Sequence, residues 1–456
     1  MLEFGTRTRF LVLILLLLCM TFIWSNILSF NFAVICMAPD ANATEYEPDR
    51  YTFTETEDTF ITVAVALAAL FANIPIVFLI NRGIRSIFTV LGLLSGVATL
   101  LIPTAVRSGL PLLLVCRALQ GVAFASVFPA VGTFAARWTY HKQTGLFVSV
   151  LVAYVQFAPV ITSPISGALC DSPGWPSVFY FHGGATLVLF VAYAAFYRNT
   201  PRKHPFVSDA ESSKIDRGKS VVDKATLRRV PYLAILRTPA IWAVWIGSLG
   251  NFVTVELMFL YNPVYMKRVL NMTTGQIGLA AAVPSLIQFL VKLVCGAASD
   301  RMKFAPELLK FRCFNSFAYL GCAGCFIALA SIDAETPALN LSLLLVGAGI
   351  LGGCTGGFYK AAPALSKQFS HFVTGCFSLV ISAAMVVIPF LVDGLAPDST
   401  QDEWHYVFGI VAGILIITNF VFCVLVRGEP CVWTTDEWMR VKHGKEKEEK
   451  IEKEIE

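Results

Sequence analysis

Charged side chains are scarce in this sequence. Only 14% of its 456 residues are Asp, Glu, Lys or Arg, whereas 56% are hydrophobic, and the mean hydropathy is +0.67. An ordinary soluble domain carries about 25% charged residues, so a water-soluble enzyme of this length would have too little polar surface to cover its core. The composition therefore excludes a soluble globular protein, and with it a nucleic-acid-binding protein or an extracellular disulfide scaffold.

Recognisable catalytic and nucleotide-binding patterns are absent as well. No GxxxxGK[ST] sequence occurs, which argues against an ATP-driven pump. The apolar segments hold no cluster of His, Asp or Cys that could form a metal or nucleophile site, so we expect neither an enzyme nor a bound cofactor or metal. Cys322 and Cys325 form a CxxC pair, but no second pair or nearby His supports zinc or redox chemistry there.

Long apolar runs are what the sequence does contain. Runs of roughly 20 residues, the length needed to cross a bilayer as a helix, recur along the chain and predict an all-α membrane protein with twelve transmembrane helices. The first run follows Arg7 and Arg9 but is too long for the apolar region of a signal peptide, so we expect it to be retained. The twelve predicted spans are 10–37, 59–80, 86–104, 111–134, 145–170, 177–197, 240–266, 276–298, 312–332, 339–362, 373–396 and 404–427.

The few charges are divided unevenly between the two ends of these spans. One end, here called the basic face, collects most of the Lys and Arg residues, and the opposite end, the acidic face, carries Asp and Glu in its first and last loops. Cytosolic loops are enriched in Lys and Arg, so we expect the basic face and both termini to be cytosolic. Three glycosylation sequons, which begin at Asn42, Asn271 and Asn340, all fall on the acidic face. No sorting signal chooses between the plasma membrane and an intracellular vesicle membrane.

The chain divides into two halves of six spans each. The longest polar interruption, 199–239, is rich in Lys, Arg, Pro and Ser and predicts a cytosolic linker between an N-terminal bundle (1–198) and a C-terminal bundle (240–427). A charged cytosolic tail (428–456) follows. The loop after the second span, Asn81-Arg82-Gly83, and the loop after the eighth, which contains Asp300-Arg301, are close to half the chain apart. A parallel repeat of two six-helix halves is typical of the major facilitator layout, in which substrate binds at the midplane.

The fourth and fifth spans carry a more specific resemblance. The stretch Arg117-Ala-Leu-Gln-Gly121, followed by Phe128-Pro-Ala and Trp138, resembles the fourth-helix signature of the sodium/anion cotransporter family, which includes sodium–phosphate cotransporters, sialin and vesicular glutamate transporters. The likeness continues through Pro164-Ile-Ser-Gly and Val178-Phe-Tyr-Phe181 and is diffuse elsewhere. It implies the major facilitator fold, a transport activity and a small anionic substrate.

The sequence departs from this family at three places, one of which is the loop after the second span, where the family's Asp-Arg is replaced by Asn81-Arg82. Where the family carries an Arg in its first helix, this chain has Ile27, and the Glu-Arg pair that follows the fourth-helix Trp in the family falls here on Gln143-Thr144. These losses leave open an alternative function, that of a transport-incompetent relative acting as a membrane receptor or scaffold.

Arg117 is the strongest candidate for a substrate contact. It lies six residues into the fourth span from Pro111, about 9 Å along a helix axis, and a charge at that depth is costly, by about 2.5–3.5 kcal/mol on insertion scales. A planar guanidinium suits bidentate binding of carboxylate or phosphate, and the resemblance implies the same anion contact for the Arg at this motif position. Snorkelling to the interface and a structural ion pair are the alternatives.

Glu256 is the acid that we place well inside a span. It could pair with Arg117 when the site is empty, carry a proton or sodium ion as the coupling group, or be a structural partner. Uncharged polar residues within the spans could line a cavity, although each could equally bond a neighbouring helix. We predict four of them as substrate contacts: Asn31, Tyr154, Gln156 and Asn251.

Several residues are expected to act at the helix ends. Asp300, Arg301 and Arg82 are the predicted conformational latch, with Asp300 at a helix C-terminus, where a carboxylate needs a partner such as Arg301 or a neighbouring helix N-terminus. Lys292 and Lys360 are expected to snorkel to the basic face. Cys36 and Cys170 both lie near the acidic face and could form a disulfide.

These patterns together predict a secondary active transporter of a small organic anion or phosphate that works by alternating access. The coupling ion could be sodium or a proton, and the membrane potential could also drive the cycle. Besides its substrate and coupling ion, the protein is expected to contact membrane lipid and no nucleic acid.

Overall fold

The computed structural model describes residues 7–38, 51–80, 83–139, 144–216, 230–302, 304–332, 336–435 and 438. Twelve helices within these ranges are long and apolar enough to span a membrane, which confirms the predicted fold class. We number them α1 (Thr8–Met37), α2 (Glu55–Ile80), α3 (Ile84–Ser108), α4 (Leu110–Phe124, continued by Val127–Trp138), α5 (Thr144–Val152, continued by Tyr154–Asp171), α6 (Trp175–Phe196), α7 (Pro239–Leu260, continued by Asn262–Arg268), α8 (Thr274–Arg301), α9 (Glu307–Leu329), α10 (Pro337–Leu351, continued by Phe358–Ser366), α11 (Ser370–Leu395) and α12 (Gln401–Leu425).

The helices form two bundles, α1–α6 and α7–α12. The bundles meet mainly along two pairs of helices, α5 against α8 and α2 against α11. Close packing within the first bundle depends on small residues: a Cβ added to Gly121 of α4 would lie 2.1 Å from the Val65 carbonyl oxygen of α2. Only glycine allows these two backbones to approach so closely, and this approach brings the preceding turn of α2, which contains Ile61, next to Arg117.

Several membrane helices are interrupted near their middle. The helix α4 breaks after Phe124, α5 breaks at Ala153, and α10 passes through a 3-10 segment at Gly352–Gly356. The regular helix of α10 ends within a glycine-rich stretch. The two prolines of α5, Pro159 and Pro164, lie inside one continuous helix, Tyr154–Asp171.

The predicted linker contains ordered structure at both ends. A helix at Asp209–Asp216 brings Glu211 to the start of α1, where its carboxylate accepts hydrogen bonds from the backbone N–H groups of Thr8 (3.3 Å) and Arg9 (3.0 Å). A carboxylate at a helix N-terminus satisfies N–H groups that lack partners in the helix. The exact bundle and linker boundaries stay predictions, and 217–229 lie outside the described residues.

Two further features secure the ends of the bundles. On the acidic face, a disulfide joins Cys36 at the end of α1 to Cys170 at the end of α5. On the basic face, the chain after α12 folds back, and the indole of Trp433 donates to Thr238 Oγ1 over 3.0 Å. The predicted tail therefore begins with packed residues, whereas its charged run from Lys445 lies outside the described part of the chain.

Candidate substrate-binding site

Arg117 is fully buried inside the first bundle. Its Nε donates to the Ile61 carbonyl of α2 (3.3 Å), and its Nη1 donates to the Ile27 carbonyl of α1 (3.2 Å) and to Gln120 Oε1 (2.8 Å). Its Nη2 has one long contact, 3.4 Å to Asn31 Oδ1. All of these partners are neutral, and no described carboxylate lies within ion-pair distance of the guanidinium.

An aromatic ring of α1 and a hydrogen-bond network through Gln120 complete the surroundings of this guanidinium. The ring of Phe30 lies 4.7 Å from the guanidinium carbon, a favourable cation–π arrangement. The Gln120 amide that accepts from Arg117 donates in turn to the Asn26 carbonyl (3.0 Å) and to Thr99 Oγ1 (2.8 Å). Arg117 is thus held rigidly by three helices, while Asn31 is its most weakly bound partner.

Glu256 does not pair with Arg117. Its side chain is fully buried in α7, and neither carboxylate oxygen has a hydrogen-bond partner. The hydroxyl of Tyr154, on α5 in the other bundle, interacts electrostatically with this carboxylate and also lacks a partner. The expected ion pair between Arg117 and Glu256 is therefore absent, and Glu256 instead faces Tyr154 across the interface between the bundles.

Aromatic residues surround the Tyr154 side of this interface. Tyr154 packs edge-on against Phe128 of α4, with ring centroids 6.2 Å apart. One helical turn away, Phe124 stacks on Trp24 of α1 at 4.9 Å, and the Trp24 indole N–H is buried without a partner. Aromatic rings of α4 thus lie between Trp24 of α1 and Tyr154 of α5, two residues whose polar atoms are buried without a partner.

Gln156 is a contact between the bundles. Its amide donates to Gln288 Oε1 of α8 over 3.0 Å, and both residues are almost completely buried. A second contact of this kind joins Asn73 of α2 to Ser378 of α11 (2.6 Å). These amides and hydroxyls tie the bundles together, so Gln156 could meet substrate only after they separate.

Asn251 lies in a polar cluster of the second bundle. Its Oδ1 accepts from the Cys354 thiol (3.3 Å), and it lies beside Tyr359 of α10. Tyr359 also interacts electrostatically with Tyr154, so this cluster reaches the same interface as Glu256. The ammonium of Lys292 lies 5.4 Å from the centroid of the Tyr359 ring, which differs from the expected snorkelling position.

The bundles also touch at the acidic face. Thr59, in the first turns of α2, donates a hydrogen bond to Asp393 near the end of α11. The neighbouring Asp58 interacts electrostatically with both Asp393 and Arg117. On the other side of the molecule, a Cβ added to Gly278 of α8 would lie 2.7 Å from the Ser163 carbonyl oxygen of α5, so the backbones are in direct contact there.

The predicted latch has a different partner from the expected one. Asp300 pairs with Lys360 of α10 (2.9 Å), which also approaches Glu307 of α9 (3.7 Å). Arg301 is exposed and makes no ion pair with the residues that the structure describes. Lys360 is held by the Ser299 hydroxyl as well (3.1 Å), and Arg82 lies outside the described residues.

The sequons differ in their surroundings. Asn271 is exposed in the turn before α8. Asn340 is only 1% exposed, and its amide donates to the Thr336 carbonyl over 3.3 Å. An attached sugar would require this side chain to turn outwards, and the glycan at Asn340 stays a prediction. Asn42 lies outside the described residues.

Sequence reasoning missed three of the residues that meet at the interface. Asp58 was placed in the first loop of the acidic face. Asp393 was counted as part of an apolar span, and Tyr359 was not identified as a candidate. Their roles depend on which helices of the two bundles face one another, and the sequence carries no direct signal for that. Lys292 was noticed as a charge inside a span, but its depth was underestimated.

Comparisons with known proteins agree with this architecture. The family model described as Major Facilitator Superfamily matches residues 12–368. Human sialin is 26% identical over 354 residues, covering 77% of this chain and 70% of sialin. A Drosophila melanogaster protein described as a putative inorganic phosphate cotransporter is 26% identical over 356 residues, covering 76% of this chain and 67% of that protein.

A solved structure supports the fold. The inward-facing, unoccupied crystal structure of a bacterial homologue of the human lysosomal transporter Spinster superposes with a TM-score of 0.70 at 15% identity, covering 92% of this chain and 97% of that one. At this identity the likeness is evidence for the fold alone. The curated relatives confirm the resemblance to the sodium/anion cotransporters, and they are transporters rather than enzymes. The chain therefore belongs to the major facilitator superfamily and is a multi-pass membrane transporter.

Proposed function

We propose that this protein is a secondary active transporter of a small anion, either an organic anion or phosphate, and that Arg117 is its anion contact. The observation that carries the proposal is a fully buried guanidinium whose hydrogen-bond partners are all neutral. A buried charge without a hydrogen-bonded counter-charge is costly, and Asp58 interacts with Arg117 only from beyond ion-pair distance. An anionic substrate supplies the missing charge, and the weak contact to Asn31 is the first that it would replace.

Access to Arg117 depends on the contacts between the bundles. Ile61, whose carbonyl accepts from Arg117, is two residues from Thr59, which bonds Asp393 in the other bundle. Separating α2 from α11 at the acidic face would therefore uncover the turn of α2 that covers Arg117. Alternating access would proceed by rocking of the bundles about the central residues Tyr154, Gln156 and Asn251.

Glu256 is our proposed coupling group. A buried carboxylate whose two oxygens lack partners is stable only when it holds a proton or a cation. Its neighbour Tyr154 belongs to the other bundle, so occupancy of Glu256 can bias how the bundles meet. A proton and a sodium ion both satisfy this requirement. The Drosophila relative is described as a putative inorganic phosphate cotransporter, which supports a coupled mechanism.

We also propose that both termini are cytosolic. The Lys- and Arg-rich basic face supports this orientation. The Cys36–Cys170 disulfide lies at the opposite face, where an oxidising compartment is required for it to form. The exposed Asn271 sequon is on that face too. The proposed latch residues Asp300, Arg301 and Arg82 would then act at the cytosolic face, with Lys360 as the partner of Asp300.

The test is anion uptake by the purified protein in proteoliposomes. Inorganic phosphate, glutamate and sialic acid are offered in turn under an imposed pH gradient, sodium gradient or membrane potential. We expect one of them to accumulate, and we expect Arg117→Ala to reduce its uptake at least about tenfold, because a charge-assisted hydrogen bond contributes about 1.5–3 kcal/mol. Arg268→Ala, which removes an exposed arginine from the acidic face, is the matched control.

Two results would contradict the proposal. Uptake by Arg117→Ala equal to that of the unmodified protein would remove Arg117 from the site. Absence of any flux in folded, correctly inserted protein would favour the receptor or scaffold alternative. If Glu256 is the coupling group, Glu256→Gln should retain anion exchange across the membrane while losing accumulation driven by the ion gradient.

A further inference from the structure

Lys292 occupies an unusual position for a lysine in a membrane helix. It lies about 27 Å from the acidic-face end of α8 and about 13 Å from the basic-face end, at 1.5 Å per residue. Its side chain is partly exposed and lies over the Tyr359 ring. It makes no hydrogen bond or ion pair with any residue in the described part of the chain. A lysine that reached the interface by snorkelling would not be held against a ring at this depth.

The face of α8 that carries Lys292 points at the other bundle. Gln288 on this face bonds Gln156 of α5, and the ring of Phe289 packs 5.1 Å from that of Phe157. Residues three and four positions apart lie on the same side of a helix, so Lys292 continues this row by one turn. It therefore faces the interface between the bundles rather than lipid.

The groups around Lys292 can bind an anion together with it. Tyr359 offers a hydroxyl and lies beside the Asn251 amide, and both are neutral hydrogen-bond donors. Glu256 does not neutralise the ammonium, because neither of its oxygens has a partner. An ammonium beside a phenol whose hydroxyl lies next to an amide is complementary to a carboxylate or phosphate group.

Lys292 and Arg117 differ in access. Arg117 is fully buried, whereas Lys292 is partly exposed and lies one turn beyond the Gln156–Gln288 contact in the direction of the basic face. The contact thus lies between a fully buried cation and a partly exposed cation on its basic-face side.

We propose that Lys292, with Tyr359 and Asn251, forms a second anion-binding position on the basic-face side of the contact between the bundles. This inference rests on the proposed function, because the ligand is the same small anion. Arg117 binds the anion in the first bundle, and Lys292 binds its carboxylate or phosphate group in the second bundle when the basic face is open. The two cations belong to different bundles, so substrate passes between them as the bundles rock.

The test compares Lys292→Gln, Lys292→Arg and Lys214→Gln in proteoliposomes. The probes are inorganic phosphate, glutamate and sialic acid. For whichever probe is transported, Lys292→Gln should raise the KM about tenfold or more, because a hydrogen bond from a charged donor is lost. Lys292→Arg should stay within about threefold, since it keeps the charge. Lys214→Gln removes an exposed lysine from the linker helix and should leave the KM unchanged.

A binding measurement keeps the proposal testable whatever the transport result. Each probe is added to the detergent-purified proteins and the melting temperature is recorded. The unmodified protein should be stabilised by the transported probe, and Lys292→Gln should lose most of this shift while remaining folded. An unchanged KM or an unchanged anion-dependent shift in Lys292→Gln would overturn the proposal. If no probe is transported, the proposed function is contradicted. The anion-binding role of Lys292 is then decided by the anion-dependent shift in melting temperature alone.

Discussion

His204 is held as a neutral imidazole between aromatic rings. Its ring lies 4.8 Å from that of Phe196 and 5.5 Å from that of Trp138. The Phe206 N–H donates to Nδ1 (3.2 Å), so Nε2 carries the proton that is shared with the Phe196 carbonyl (3.0 Å). Burial lowers the pKa of His204 below its ordinary value, the Phe196 carbonyl opposes this effect, and Arg198 adds to it. Protonation at Nδ1 would also break the bond from Phe206.

This imidazole predicts a pH-dependent stability. Because the pKa of His204 is lower in the folded protein, its contribution is complete above about pH 6.5, the unfolded value, and is lost as the pH falls towards the folded value. His204→Gln should therefore be less stable near neutral pH, with a melting temperature that falls less between about pH 7.5 and pH 5. Thermal unfolding in detergent measures this. The same substitution at His405 is the control, and an equal slope for His204→Gln and the unmodified protein would contradict the prediction.

For single residues, the sequence indicated that Arg117 is a charge within the membrane, but it did not indicate which groups bind it. Arg117 stood out because a cation in an apolar run is rare. Its hydrogen bonds to the backbone carbonyls of Ile27 and Ile61 carry no side-chain signature. They depend on how closely α1 and α2 approach α4, which is set by Gly121 and its neighbours in three dimensions.

At the contact between α5 and α8, one substitution can shift the equilibrium between the closed arrangement of the bundles and an open one. A Cβ added to Gly278 would meet the Ser163 carbonyl at 2.7 Å, and the surrounding residues are backbone rather than movable side chains. Gly278→Leu should therefore push the helices apart at the acidic face, at a cost of about 1–3 kcal/mol. The closed arrangement would lose population to one that is open on that side.

Cysteine accessibility measures this shift. A cysteine placed at Thr274, whose carbonyl lies against Gly167 of α5, should react slowly with a membrane-impermeant maleimide, and faster once Gly278→Leu is added. Gly184→Leu is the matched control, because a Cβ there meets no atom within 4 Å. Equal labelling rates with and without Gly278→Leu would show that this contact does not govern opening.

The existence of the helices was predictable, because a helix that crosses the bilayer needs about 20 consecutive apolar residues. The interruptions were harder to foresee. The 3-10 segment of α10 falls in a glycine-rich stretch that signals weak helix formation. The sequence around the breaks after Phe124 and at Ala153 has no comparable run of glycine. The prolines of α5 would signal a break, yet they lie in continuous helix.

Orientation is a property of the whole molecule, and the disulfide makes it testable. In sealed microsomes, whose outer surface is cytosolic, protease should remove a C-terminal tag without permeabilisation. The Cys36–Cys170 bond should be reduced by an impermeant phosphine only after the membrane is permeabilised, because it lies on the opposite face. A Cys36→Ser/Cys170→Ser double variant controls for the ten other cysteines. The reverse pattern of access would invert the proposed topology.

The two-bundle arrangement followed from the linker and the spacing of the repeated loops, but the partners across the interface did not. Asn73 and Ser378 are 305 positions apart, and Gln156 and Gln288 are 132 positions apart. Each looked in the sequence like any other membrane amide or hydroxyl. Pairings over such distances depend on the assembled bundles, and local composition does not encode them.

The described hydrogen bonds between the bundles share a chemical feature: amides and hydroxyls supply them, with one carboxylate as acceptor, and the described ion pairs all lie within the second bundle. A neutral amide or hydroxyl can exchange its partner for water at little net cost in free energy. Dissolved salt barely weakens such hydrogen bonds, because these groups carry no net charge. The rate at which the molecule switches should therefore be nearly independent of ionic strength, unlike a carrier whose gates are salt bridges.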